Sequence, residues 1–311
     1  MEPTAALLAV DAPSLYFRAY FGIPEAAALA PDGAPVNAVR GFLDMLATLV
    51  RTRRPDRLVC AMDADWRPAF RVALIPSYKA HRVADGDAEQ VPDTLSPQVP
   101  IIEQALAAIG VPVVGVAGFE ADDVLGTLAT GQPGPVEVVS GDRDLFQLVD
   151  DARPVRLLYC GRGVAKLEVY DEAAVHARYG VPAGAYADFA ALRGDPSDGL
   201  PGVAGVGEKT AARLIDRYGS VAGIIDALAD PASAFAPGLR ARLLAAGDYL
   251  TVATRVTQVA CDVPLPAFAP RLPAAPVDQQ GLLALAERWN LAGPCRRLVD
   301  ALADAAPPTD R

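Results

Sequence analysis

Acidic residues fall repeatedly just beyond short apolar runs, and that repetition is the strongest chemical signal in the chain. Asp11 follows Ala6-Leu7-Leu8-Ala9-Val10 directly, and Asp63 follows Leu58-Val59-Cys60-Ala61-Met62. Glu120, Asp122 and Asp123 come a few residues after the apolar stretch 111–116, and Asp142 and Asp144 just after 136–139. Taken singly, each has an ordinary reading. An Asp after a strand is a turn or helix N-cap, and Glu-Ala-Asp-Asp complements a helix dipole. Taken together they imply chemistry. Two carboxylates ~4 Å apart repel by about 4 kcal/mol at an effective dielectric of 20, so such a cluster needs protons or cations. Hard divalent ions with oxygen ligands fit best. The number of acids suits two ions better than one, and two ions ~4 Å apart catalyse in-line displacement at phosphorus. Phosphoryl transfer or phosphodiester hydrolysis is therefore the leading chemistry.

The elements that must position these acids are legible as alternation. Apolar runs at 6–10, 58–62, 111–116 and 136–139 read as buried strands. Helical spacing recurs at Val36 to Val50, at Ile101 to Ile109 with Gly110 as its stop, and after Glu120. Continuous apolar strands alternating with helices predict an α/β fold, a mostly parallel central sheet covered by helices. Ligands of open parallel sheets bind beyond the carboxyl ends of the strands, so the acids are expected to converge there. Residues 76–97 interrupt the pattern with polar residues, Pro and Gly, and read as a long loop or marginal helix. From about 185 the chain turns to helices and Gly-rich turns, residues 262–276 read as a Pro-rich connector, and a last helix is expected over 279–303. Domains are expected at 1–180 and 181–311.

A second motif lies at 194–210, Gly-Asp-Pro-Ser-Asp-Gly-Leu-Pro-Gly-Val-Ala-Gly-Val-Gly-Glu-Lys-Thr. Its first part adds Asp195 and Asp198, whose bland reading is an ordinary turn. In its second part Gly202, Val203, Gly205 and Gly207 form a hairpin whose backbone N–H groups open a helix, a cradle for phosphate. Lys209 and Arg213 lie one turn apart on that helix, next to Thr210. With a preceding helix from about 185, the stretch to 218 reads as a helix–hairpin–helix, which grips one DNA strand without reading bases.

Composition sets the remaining bounds. The 311 residues suggest two domains, and 52% hydrophobic residues suffice for a core. No apolar run approaches a membrane span, and Met1-Glu2-Pro3 lacks the basic start of a signal peptide, so a cytoplasmic protein is expected. Cys60, Cys160, Cys261 and Cys295 are scattered, which disfavours a disulfide scaffold or zinc site. There is no P-loop and no dinucleotide fingerprint. The two histidines, His81 and His176, have no evident partner for a catalytic triad. A net charge of −10 argues against nucleic acid at first sight. Nine of the 38 acids belong to the proposed cluster, however, and without them 28 cations face 29 acids.

The motifs then carry a resemblance. Val10-Asp11 with Arg18-Ala19-Tyr20-Phe21, Asp63, Ser77-Tyr78-Lys79-Ala80-His81-Arg82, Gly118-Phe119-Glu120-Ala121-Asp122-Asp123, Ser140-Gly141-Asp142-Arg143-Asp144 and Gly194 to Ala211 resemble the bacterial 5′–3′ exonucleases and flap endonucleases. That family includes the 5′-nuclease domain of DNA polymerase I. The resemblance implies a PIN-like core with a helical subdomain. It implies one divalent ion, Mg²⁺ or Mn²⁺, at Asp11, Asp63, Glu120 and Asp122 or Asp123, and a second at Asp142, Asp144, Asp195 and Asp198. It places Lys79 and Arg82 on the scissile phosphate at the base of a helical arch, Tyr78 against a base, and Arg18 as a further cation. It adds K⁺ at the hairpin carbonyls. It implies DNA with a 5′ flap, nick or 5′ end as substrate, a monomer working at the nucleoid, and a polymerase or sliding clamp as candidate partner. Since no polymerase segment follows, a free-standing nuclease is expected. A PIN-like ribonuclease and a non-catalytic DNA-structure binder are the alternatives. The hairpin argues against the first, and the full set of acids against the second.

Overall fold

The computed structural model describes residues 6–84 and 89–306. Six strands form one sheet: β1 (Leu7–Asp11), β2 (Arg57–Ala61), β3 (Val113–Val114), β4 (Val136–Ser140), β5 (Val155–Tyr159) and β6 (Glu168–Tyr170). Their order is β3-β2-β1-β4-β5-β6, with every pairing parallel except β5–β6. Four of the strands answer to the apolar runs. The third is only two residues long, because Gly115 and Gly118 turn the chain away, and β5 and β6 have no counterpart in the sequence reading.

Both faces of the sheet are covered. Alternate residues of β1 point opposite ways, so Leu7 and Ala9 join one core cluster while Leu8 and Val10 join the other. The second cluster is closed by α1 (Ala12–Gly22), α2 (Asn37–Arg53) and α4 (Val99–Ile109). On the first side lie the short α3 (Ala69–Leu74) and α5 (Ala121–Gly131), joined by α6 (Glu172–Tyr179), α7 (Tyr186–Arg193), α8 (Glu208–Tyr218), α9 (Val221–Ala229), α10 (Pro237–Ala245) and α11 (Gly247–Thr257). Among the described residues no helix is long and apolar enough to cross a membrane.

The C-terminal stretch departs from the expected layout. The single helix at 279–303 is two, α12 (Gln279–Arg288) and α13 (Ala292–Ala305), broken at Asn290, which adopts the left-handed conformation. Both pack on the α/β core rather than on α7–α11. Leu298 and Leu302 share a cluster with Leu43 and Leu46 of α2, and Arg297 pairs with Asp44 at 2.8 Å. The helical subdomain expected over 181–311 therefore ends before α12. Residues 258–278 are irregular, spanning the connector expected over 262–276, and run back to the sheet, where Leu58 N–H donates to the Pro270 carbonyl at 2.7 Å. Between α3 and α4 there is no α-helix among the described residues. Two single 3₁₀ turns, Ala80–Arg82 and Ser96–Gln98, flank a bridge between Val83 and Glu89. Within the 76–97 segment, Asp85 and Asp87 lie outside the described residues, as do Met1 to Ala5 and Pro307 to Arg311.

Candidate active site

Strand order makes β1 and β4 the point where the sheet winds in opposite directions, the place where such sheets hold ligands. A cavity of about 610 Å³ opens there, lined by Asp11, Asp63, Glu120, Asp122 and Asp142, with Arg18, Lys79 and Arg82 among them. Phe17, Phe21 and Trp66 also line it.

Each acid is set by its local structure. Asp11 ends β1 and caps α1, accepting from Ser14 N–H at 3.1 Å and from the Ser140 hydroxyl at 2.5 Å. Burial pushes its pKa up to about 6 against those hydrogen bonds, with Asp142 adding to the rise. Asp63, at the rim, accepts from Ala121 N–H at 2.7 Å. Desolvation, with Glu120 and Asp11 nearby, holds it above the usual carboxylate range. Asp122 is raised by burial, then by Asp142 and Asp11. Asp142 is exposed, receives Asp144 N–H at 2.8 Å, and is itself bonded through its N–H to the Ser140 hydroxyl at 2.9 Å. Asp144 is raised by burial, then by Asp142, Asp198 and Asp195, and its Oδ1 is buried without a hydrogen-bond partner.

Asp195 and Asp198 reach the same neighbourhood from the connection between α7 and α8. Asp195 caps the 3₁₀ turn Pro196–Asp198 and lies 3.4 Å from Arg193. Burial pushes Asp198 up to about 6, with Lys79 opposing and Asp142 reinforcing the rise. The acids thus fall into two groups that meet at Asp142.

Two expectations are corrected. Asp123 faces away from the cavity: it is fully buried, clamped by Arg71 at 2.6 and 2.8 Å, and it accepts from Ala260 N–H at 2.7 Å. It closes a capping box with Glu120 and serves the fold rather than an ion. Tyr78 is not free to stack on a base. It is 4% exposed, and its hydroxyl donates to Glu120 at 2.8 Å. Glu120 also receives Arg71 Nη1 and Lys79 Nζ.

Arg71 is the residue the sequence reading missed. It is 2% exposed, and it also donates to the carbonyls of Val256 and Gln258 at 3.1 Å each. Burial alone would lower its pKa, but Asp123 and Glu120 outweigh that and hold it up. Nothing in its spacing marks it. Ser140 was findable, as a polar residue ending an apolar strand. Arg18 lies beside Gly141, where an added Cβ would come within 3.1 Å of Arg18 Nη2 and 3.0 Å of Ser14 Oγ. The Arg18 Nε is buried without a partner.

The same α7–α8 connection carries the hairpin. Val203 and Val206 are buried plugs, and Gly202 (φ 65°) lets the hairpin pack on Gly194 N at a distance no Cβ would tolerate. Gly205 (φ 69°) turns the chain, Gly207 caps α8, and Thr210 N–H donates to the Gly207 carbonyl at 3.0 Å. Lys209 and Arg213 are exposed on α8, opposite its buried Ala211, Leu214 and Ile215.

As they stand, no three acidic, histidine or cysteine side chains among the described residues close on a common point as an ion's ligands. Glu120 leans on Arg71 and Lys79, and Asp198 on Arg82. The donor set nevertheless suits divalent ions: it is all oxygen, five of its carboxylates have pKa values raised by burial first and by neighbouring acids second, and it includes the partnerless Asp144 Oδ1.

Carboxylates gathered at a sheet's switch point, cations beside them and a glycine hairpin on one connection define a nuclease with a resolvase-like α/β core. Family comparison is more specific. The model for the 5′-3′ exonuclease N-terminal resolvase-like domain matches residues 6–180, and that for the 5′-3′ exonuclease C-terminal SAM fold matches 181–280. The chain belongs to the 5′–3′ exonuclease family. It is 58% identical over 298 residues to a 5′-3′ exonuclease of Streptomyces coelicolor, covering 94% of this chain and 99% of that one. It is 52% identical over 310 residues to a 5′-3′ exonuclease of Mycobacterium tuberculosis, covering 95% and 97%. The zinc-bound T5 5′-exonuclease matches with a TM-score of 0.64 over 97% of this chain and 100% of that one. At 18% identity that likeness speaks to the fold.

Proposed function

We propose that this 5′–3′ exonuclease family member hydrolyses DNA phosphodiesters near the junction of a 5′ flap and duplex with two divalent ions, Mg²⁺ or Mn²⁺. The observation that carries the reading is the meeting of two acid groups at Asp142, beside Lys79 and Arg82. Asp11, Asp63, Glu120 and Asp122 would hold one ion, and Asp142, Asp144, Asp195 and Asp198 the other. Bound there, the ions would lower the pKa of the attacking water and offset charge on the leaving oxygen. Lys79 and Arg82 would neutralise charge developing on the transferred phosphoryl, and Arg18 would orient the strand.

The hairpin at 202–207, with Thr210, Lys209 and Arg213, would hold the duplex backbone, with K⁺ at its carbonyls. Because the hairpin and the acids at 195–198 share one connection, the distance from grip to cut would be fixed by the fold. On this reading the enzyme works as a monomer on chromosomal DNA, in the company of a polymerase or sliding clamp. A labelled 5′-flap duplex, an RNA flap and a blunt duplex should be compared in Mg²⁺ and in EDTA. Metal-dependent cuts at the DNA-flap junction support the reading. Preference for the RNA flap, or binding without any cleavage, overturns it.

A further inference from the structure

We propose that Lys79 and Arg82 serve as resident counter-ions of the two acid groups, so that DNA-phosphate binding and divalent-ion binding are positively coupled. The inference rests on the reading of the site as a metal-dependent nuclease centre. Each cation sits on one group: Lys79 Nζ on Glu120, and Arg82 Nη2 3.2 Å from Asp198 Oδ1. Among the described residues the other acid paired with Arg82 is Glu89, at 4.0 Å. These are the two cations assigned to the scissile phosphate, so each has two competing destinations. An ion entering the DNA-free site must displace Lys79 from Glu120 and Arg82 from Asp198. A phosphate that takes up both cations removes the competitors.

The backbone makes this a side-chain exchange rather than a movement of the segment. Residues 77–79 are fastened to the 198–199 turn at two points that neither cation's charged group makes: Lys79 N–H donates to the Asp198 carbonyl at 2.9 Å and the Ser77 hydroxyl to Gly199 O at 2.9 Å. The Arg82 guanidinium also donates to Ser197 O at 2.7 Å, a bond it gives up in the exchange. Gly199 (φ 70°) permits the approach, since a Cβ there would lie 2.2 Å from the Ser77 carbonyl oxygen. The cations therefore stay beside the acids whichever partner they take. Linkage makes the effect reciprocal: whatever factor DNA applies to ion affinity, ions apply to DNA affinity.

The test is calorimetric titration of the DNA-free protein with Ca²⁺. Arg82→Gln and Lys79→Met should each bind Ca²⁺ more tightly than wild type, by ~5-fold or more, the low end of typical inter-site coupling. A merely structural role would weaken binding instead, so the sign separates the two. The second measurement needs no variant. Wild-type flap-DNA affinity, read by rapid-mixing fluorescence anisotropy before cleavage, should tighten by at least ~5-fold on adding Ca²⁺. Equal or weaker Ca²⁺ binding in both variants, or DNA affinity in the wild type independent of Ca²⁺, overturns the coupling. Failure of wild type to cleave a flap in Mg²⁺ would instead overturn the reading it rests on.

Discussion

Asp142→Asn should make the metal-free protein more stable while destroying its activity. Asp142 is the acid common to both groups: its charge raises the pKa of Asp11, Asp122, Asp144 and Asp198. A pair ~4 Å apart in water-like surroundings repels by about 1 kcal/mol, and the exposure of Asp142 calls for that screened scale rather than an interior one. Over four neighbours at unequal distances, a total relief of ~2 kcal/mol is reasonable. The amide keeps the Oδ1 acceptor that Asp144 N–H uses at 2.8 Å, so no hydrogen bond is lost. With ~2 °C of melting shift per kcal/mol for a chain of this size, the midpoint in EDTA should rise by ~4 °C. In saturating Mg²⁺ the order should reverse, because an ion at 100 times its Kd stabilises the wild type by about 2.7 kcal/mol. Cleavage should fall by at least ~10²–10³-fold, the scale for removing one preorganised charge from a transition-state site. Differential scanning fluorimetry with and without EDTA reads the first part, and a flap assay the second. A variant that melts at or below wild type in EDTA would refute the electrostatic argument even if it were inactive.

Further outcomes follow from other parts of the site. Asp11 and Asp198 titrate near pH 6 in the folded state, above the ordinary 3.8, so their contribution to stability is complete below about pH 4 and lost as pH rises through about 6. The Mg²⁺-induced rise in melting temperature should accordingly grow across that window, and a flat pH profile would contradict it. Arg71→Met leaves Glu120 and Asp123 buried beside one another, and should cost ~3–5 kcal/mol in denaturant titration. Gly141→Ala should push Arg18 aside and lower kcat with little change in midpoint, read by steady-state kinetics and thermal melts. Lys209→Ala should flatten the salt dependence of duplex binding by about one unit of slope with kcat preserved, as measured by anisotropy at several salt concentrations.

The sheet and the acids at its edge were legible because buried parallel strands read as apolar runs, and a carboxylate directly after one can point only to the edge. That logic placed Asp11, Asp63, Asp122 and Asp142 at one cavity. It failed for Asp123, since adjacent acids on a helix face different ways and only the buried Arg71, remote in sequence, decides which one turns inward. Tyr78 was misassigned for a related reason: an aromatic next to cations suggests stacking, whereas Glu120 offered its hydroxyl a buried acceptor. Strand β5 was missed because Arg156 and Tyr159 interrupt its apolar run, and the edge strand β6 because it is three residues long with only Tyr170 buried. The docking of α13 on α2 depends on contacts more than 200 residues apart, such as Asp44 with Arg297, which no local pattern announces.

The central claim is that two acid groups meeting at Asp142 hold two divalent ions, and anomalous diffraction from crystals soaked in Mn²⁺ tests it most directly. The account predicts two peaks ~4 Å apart, one among Asp11, Asp63, Glu120 and Asp122, the other among Asp142, Asp144, Asp195 and Asp198. A single peak, or peaks outside these residues at saturating Mn²⁺, would contradict it.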